Sequence, residues 1–152
     1  MNTPRIAYFA YGSNLDEAQM RSRCPSAVPA GRATLRGHAL TFGGYSHRWR
    51  GPVASVLRKR GAAVEGLLYT LDADALDRLD RFEGHPFAYE RVVRYVTDEH
   101  GRKRRVQVYV QPEDGFVAWH PDNEYLAVIA HAYRRLGFDR SALLDALRRG
   151  VR

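Results

Sequence analysis

A single cysteine, only two lysines and no long apolar run are the most restrictive absences in this 152-residue chain. One thiol, Cys24, excludes an internal disulfide, and with no base paired to it in the sequence it reads as a small buried side chain rather than a nucleophile. No apolar stretch approaches the ~18 residues that a membrane-spanning helix needs, and the first residues lack a charged-then-apolar secretion signal, so a cytoplasmic protein without membrane partners is expected. The histidines, His38, His47, His85, His100, His120 and His131, show no short ligand spacing, and no metal site is expected. Repeats, low-complexity tracts and linkers are also missing. With 45% hydrophobic residues, residues 1–152 are expected to form one domain around one core.

Acidic residues are absent from 18–64, where nine arginines or lysines occur, and Arg102-Lys103-Arg104-Arg105 adds a second basic cluster to a chain of net charge +7. A basic face attracts small anions or nucleic acid, but no nucleic-acid-binding motif accompanies it, and a solvated surface with a basic hairpin tip explains the same pattern.

Tyr8-Phe9-Ala10-Tyr11-Gly12-Ser13-Asn14-Leu15 is the most informative stretch that is present. An apolar run favouring a buried strand meets a small polar turn, where Gly12 lets the backbone approach a ligand closely. Ser13 or Asn14 is placed to cap a helix over Asp16 to Cys24, with Ser13-x-x-Asp16 resembling a capping box. A strand end, a glycine turn and a helix start aim unpaired backbone N–H groups at one point, which suits a carboxylate or a developing oxyanion.

Further along, Arg32 to Phe42 reads as a strand interrupted near Gly37 and ended by Gly43-Gly44. Tyr45 to Pro52 reads as a loop, followed by a short strand from Val53 to Leu57, a turn at Gly61 and a strand from Val64 to Leu71. Asp72 or Asp74 starts a helix with Ala75, Leu76, Leu79 and Phe82 on one face, ending at Gly84. Tyr89 to Thr97 and Arg104 to Val110 form a hairpin, and helices follow from Pro121-Asp122 to Gly137 and from Ser141 to Arg149. Short strands with helices concentrated at the end indicate an α+β fold whose antiparallel or mixed sheet can close on itself.

Glu83 stands out because it directly precedes the helix-stopping Gly84. The negative end of the helix dipole, and burial near Phe82, Phe87 and Tyr89, would raise its pKa toward the range useful for proton transfer near neutrality. A surface glutamate at a helix end is the plain alternative.

The Tyr8 to Leu15 stretch resembles the signature loop of the γ-glutamylcyclotransferase-like (AIG2-like) superfamily. Leu79-Asp80-Arg81-Phe82-Glu83-Gly84 is similar to its Leu-Asp-x-x-Glu-Gly element. Looser similarities keep the same order: Arg50-Gly51-Pro52-Val53-Ala54, Val64-Glu65-Gly66-Leu67-Leu68-Tyr69, then Tyr89 and Tyr125. This resemblance implies a small mixed or antiparallel β-barrel flanked by short helices, with the pocket at one mouth. It implies Glu83 as the catalytic acid/base, and Tyr8, Phe9, Ala10, Tyr11, Gly12, Ser13, Asn14, Leu15, Tyr89 and Tyr125 as residues around the substrate. The implied reaction is intramolecular: the α-amine of a γ-glutamyl amino acid or amine attacks its own γ-carbonyl and releases 5-oxoproline, with no cofactor. Residues 43–50 and 113–122 match no single subfamily and leave the leaving group open. A specialised γ-glutamylamine or γ-glutamyl-acyl cyclotransferase, and a non-catalytic basic module for small anions or nucleic acid, are the alternatives.

Overall fold

Five strands close into a barrel in the order β1-β3-β2-β4-β5 in the computed structural model, which describes residues 4–150. In chain order the elements are β1 (Ile6–Ala10), a 3-10 turn (Ser13–Leu15), α1 (Glu17–Arg23), β2 (Val28–Ser46), β3 (Gly51–Leu71), α2 (Ala73–Glu83), β4 (Glu90–Asp98), β5 (Lys103–Val110), α3 (Asn123–Leu136) and α4 (Arg140–Arg149). Every pairing is antiparallel except β1 with β5, where Tyr8 faces Gln107 in parallel and seals the barrel. The fold is the α+β barrel with flanking helices that the motif order implies.

Strands β2 and β3 differ from the sequence expectation. They run for 19 and 21 residues, where glycines suggested shorter pieces. Gly37 and Gly61 adopt positive φ of 72° and 83°, and the register shifts between Arg36 and His38. The strands therefore bend there and go on pairing: between the Arg36–Ala63 and His38–Arg58 pairs, β3 advances five residues against two on β2, so the surplus bulges out without ending the ladder. Nor does Gly43 end β2: it pairs with Val53, and a Cβ there would collide with the Phe116 ring. Its glycine serves close packing rather than chain breaking.

The barrel interior holds Phe9, Leu35, Phe42, Val64, Leu68, Val106 and Val108, and α3 covers one side with Ile129 and Tyr133. A second cluster joins Tyr8, Met20, Cys24, Leu71, Leu76 and Leu79, packing α1 and α2 on the outside of β1 and β3. Burying a leucine such as Leu79, which is fully shielded, contributes about 1.5–3 kcal/mol to holding α2 in place. Asp72 caps this helix by accepting from the Ala75 N–H at 2.8 Å, and Gly84 closes it in the left-handed conformation.

Helical geometry then decides where Glu83 goes. At about 100° per residue, Glu83 lies about 20° from Leu76 and about 40° from Leu79, close to the middle of the buried face, whereas Phe82 lies about 60° from Leu79 on the Ala75 edge of it. Glu83 therefore follows the buried face inward. Phe82, expected on the apolar face, is instead 49% exposed.

Candidate active site

Ten residues surround a small cavity at one mouth of the barrel: Tyr8, Tyr11, Gly12, Ser13, Asn14, Ala54, Glu83, Tyr89, Tyr109 and Tyr125. Six regions of the chain supply them: β1 and its turn, β3, the end of α2, the segment before β4, β5, and α3.

The turn after β1 is organised differently from the expected capping box. Ser13–Leu15 forms a 3-10 turn in which the Leu15 N–H bonds to the Gly12 carbonyl at 3.0 Å. Asp16, rather than Ser13 or Asn14, caps α1 by accepting from the Gln19 N–H at 3.2 Å. The reason is that Ser13 and Asn14 are engaged elsewhere. Gln19 Nε2 donates to Ser13 Oγ at 2.8 Å and to Asn14 Oδ1 at 2.9 Å. Because the first N–H groups of a 3-10 turn lack an intrahelical acceptor, those of Ser13 and Asn14 are left for another partner.

Asn14 is the hub of the polar network. Its amide donates to the Tyr8 hydroxyl at 2.9 Å and to Glu83 Oε1 at 3.3 Å, while its carbonyl oxygen also accepts from Arg23 Nη1 at 3.2 Å. The same Arg23 nitrogen reaches Glu83 Oε1 at 3.3 Å, with the two side chains 8% and 15% exposed. Both contacts to Glu83 end on Oε1; among the described residues no donor reaches Oε2.

Burial pushes the Glu83 carboxyl above its ordinary value, opposed by the Arg23 guanidinium and the Asn14 hydrogen bond. The direction agrees with the sequence expectation, but the neighbours differ. Phe82 is half exposed and Phe87 is 86% exposed, so the tyrosine-lined cavity and not these phenylalanines removes Glu83 from water.

The tyrosines hold the wall. Tyr89 donates to the Ala54 carbonyl at 2.5 Å and Tyr125 accepts from the Ala54 N–H at 2.8 Å, so two hydroxyls pin one residue of β3. Tyr11 donates to the Tyr109 carbonyl at 2.6 Å, and Tyr109 donates to Asp80, which also receives Arg91 Nε at 2.8 Å. Burial raises the phenol pKa of Tyr8, Tyr11, Tyr89, Tyr109 and Tyr125, keeping them neutral.

The structure thus brings Tyr8, Tyr11, Gly12, Ser13, Asn14, Glu83, Tyr89 and Tyr125 to one cavity. Phe9, Ala10 and Leu15 are not part of its lining. Phe9 and Leu15 belong to the barrel core and Ala10 to the cluster outside it. Ala54, Tyr109 and Arg23 escaped the sequence reading. Arg23 left one signal: it falls three residues after Met20 on the buried face of α1, and a buried arginine calls for a buried acid. Among the described residues no group of three or more histidine, cysteine or acidic side chains is arranged to hold a metal ion, and no helix is long and apolar enough to cross a membrane.

A closed five-stranded barrel with a polar turn after β1 and a buried carboxyl at the end of α2 defines a class of small barrels with a polar, tyrosine-lined pocket at one mouth. Comparison with known proteins names that class. A family model for gamma-glutamyl cyclotransferase, AIG2-like proteins matches residues 8–132. Gamma-glutamylcyclotransferase of Mus musculus is 37% identical over 81 residues, covering 51% of this chain and 43% of the mouse protein. The match therefore spans less than half the length of that curated relative. A solved gamma-glutamyl cyclotransferase superposes with a TM-score of 0.85 at 24% identity, covering 94% of this chain and 86% of its own. An uncharacterized protein from Homo sapiens gives a TM-score of 0.83 at 25% identity, covering 93% and 86%. The chain belongs to the gamma-glutamyl cyclotransferase, AIG2-like family.

Proposed function

We propose that the chain releases 5-oxoproline from a γ-glutamyl amino acid or amine, with Glu83 moving the protons. The observation that carries this reading is the Glu83 carboxylate itself, buried at the cavity, held through one oxygen by Arg23 and Asn14 and free at the other. A carboxyl raised by burial but kept ionisable by a neighbouring cation is suited to both accept and return a proton.

In this mechanism the γ-glutamyl group lies across the cavity with its γ-carbonyl oxygen toward the N–H groups of Ser13 and Asn14, which stabilise charge as the tetrahedral centre forms. Glu83 Oε2 takes one proton from the substrate α-ammonium, and the freed amine attacks the γ-carbon. The bond to the leaving nitrogen breaks as Glu83 returns the proton to it. A second proton passes from the attacking nitrogen to the released amine through solvent, so no water is consumed. Folding the substrate so that its own amine meets its own carbonyl supplies much of the rate through proximity. Tyr8 and Asn14 orient Glu83; Tyr11, Tyr89 and Tyr125 shape the wall.

The test uses purified wild type and Glu83→Gln with a panel of γ-glutamyl amino acids and amines, with 5-oxoproline followed by mass spectrometry. Glu83→Gln keeps the fold and loses turnover by orders of magnitude. Undiminished turnover in that variant removes Glu83 from the mechanism.

A further inference from the structure

Ser13, Glu83, Tyr89 and Tyr125 line not one hollow but two. On their outer side lies a wider groove between the turn that joins β2 to β3 and the end of α2. Glu83 stands at the boundary between the two. If the glutamyl part fills the inner cavity, the leaving nitrogen must meet Glu83 from the groove side, so the groove is where the rest of the substrate lies. This step rests on the cyclotransferase reading above.

Two features of the groove define what it holds. The first is aromatic surface outside the core: Tyr45 is 63% exposed and Phe82 49%, and Trp49 packs edge-on against Tyr125 with ring centroids 5.2 Å apart. The second is unbalanced positive charge. Arg23, Arg48 and Arg81 line the groove against one carboxylate, Glu83, which Arg23 already neutralises. Among the described residues neither Arg48 nor Arg81 has an acidic partner within salt-bridge distance. The Arg48 guanidinium lies over the Trp49 ring at 5.7 Å, a stacking that occupies its face and leaves its in-plane donors for an oxyanion.

We infer that the groove is the leaving-group subsite and that it selects an amino acid with an aromatic or large apolar side chain. Arg48 and Arg81 receive the α-carboxylate, and Trp49 and Phe82 receive the side chain. Diamine leaving groups are disfavoured, since a second ammonium would face three arginines in a partly desolvated groove.

Comparing kcat/KM for γ-glutamylphenylalanine, γ-glutamylphenethylamine and a γ-glutamyl diamine isolates the carboxylate, because the first two differ only by that group. A charged hydrogen bond at a partly exposed site corresponds to about tenfold, so the phenylalanine conjugate is favoured over the phenethylamine conjugate by about that ratio or more. In Arg48→Gln/Arg81→Gln, shown folded by its thermal melt, the ratio falls to about three or less through KM. Equal kcat/KM for the two conjugates in the wild type, or an unchanged ratio in the double variant, overturns the subsite while leaving the cyclotransferase reading intact. Absence of 5-oxoproline from every conjugate overturns both.

Discussion

Replacing Arg23 with glutamine tests the electrostatic design of the site directly. The guanidinium lies 3.3 Å from Glu83 Oε1, with both side chains largely out of water. At an effective dielectric near 20, that separation corresponds to about 5 kcal/mol of attraction, or between three and four pKa units. Cavity solvent and the Asn14 hydrogen bond remain in the variant, so the working range is the one to three units typical of a close carboxylate–cation pair. Burial already raises Glu83 and Arg23 opposes it; without Arg23 the carboxyl rises further. The base form of Glu83 is therefore formed only at higher pH. Rates of 5-oxoproline formation measured from acid to alkaline pH will show the acid limb of kcat/KM displaced upward by about one to three units. Below the wild-type limb the loss is about tenfold for each unit of displacement, and it vanishes above the new pKa. Arg23→Lys restores the charge with fewer fixed donors and brings the limb part of the way back. A folded Arg23→Gln enzyme that is uniformly slower at every pH, with its acid limb unmoved, would falsify the assignment of Arg23 as the group that keeps Glu83 ionisable.

Three further outcomes follow from the same geometry. Stability contributed by Glu83 is greatest below the unfolded carboxyl value of about 4.3 and declines as pH rises through the higher folded value, so wild type loses stability relative to Glu83→Gln across that window in chemical denaturation. Tyr125→Phe strands the buried Ala54 N–H and lowers stability by about 1–3 kcal/mol, read from denaturant midpoints at constant slope; an unchanged midpoint refutes the pinning of β3 by this hydroxyl. Gly66→Ala, at a residue whose backbone angles pose no difficulty for alanine, destabilises because its Cβ would press on the Phe9 ring and the Ala10 carbonyl, and a melting temperature at or above that of wild type would show that this contact yields freely.

Local chemistry explains which parts of the molecule were legible beforehand. The hairpin of β4 and β5 and the helices α2, α3 and α4 were readable because alternation, helical spacing, acidic N-caps and glycine C-caps all act within a few residues. Glycine misled where its reason was distant. Gly43 is small because Phe116 approaches from another segment, and Gly37 and Gly61 bend strands that keep their partners, none of which a local window reveals.

The site divides along the same line. Gly12, Ser13, Asn14 and Glu83 lie in short motifs legible in the sequence and meet at one cavity, yet the electrostatic setting of the Glu83 carboxyl is fixed by residues far from it in sequence. Arg23 is 60 positions away, and the Asp80 side chain that holds Tyr109 does so across 29. Helix α2 reconciles the two scales. Leu76 and Leu79 bury one face, and the helical repeat carries that face forward to Glu83, so an apolar pattern legible over eight residues delivers a carboxylate to a place where solvation is poor. The charge then needs a counter-ion, and α1, packed in the same cluster through Met20, supplies Arg23. Packing of two helices against the barrel and tuning of a single carboxyl are one event, which is why a substitution at Arg23 is expected to register in a pH profile rather than only in a melting curve.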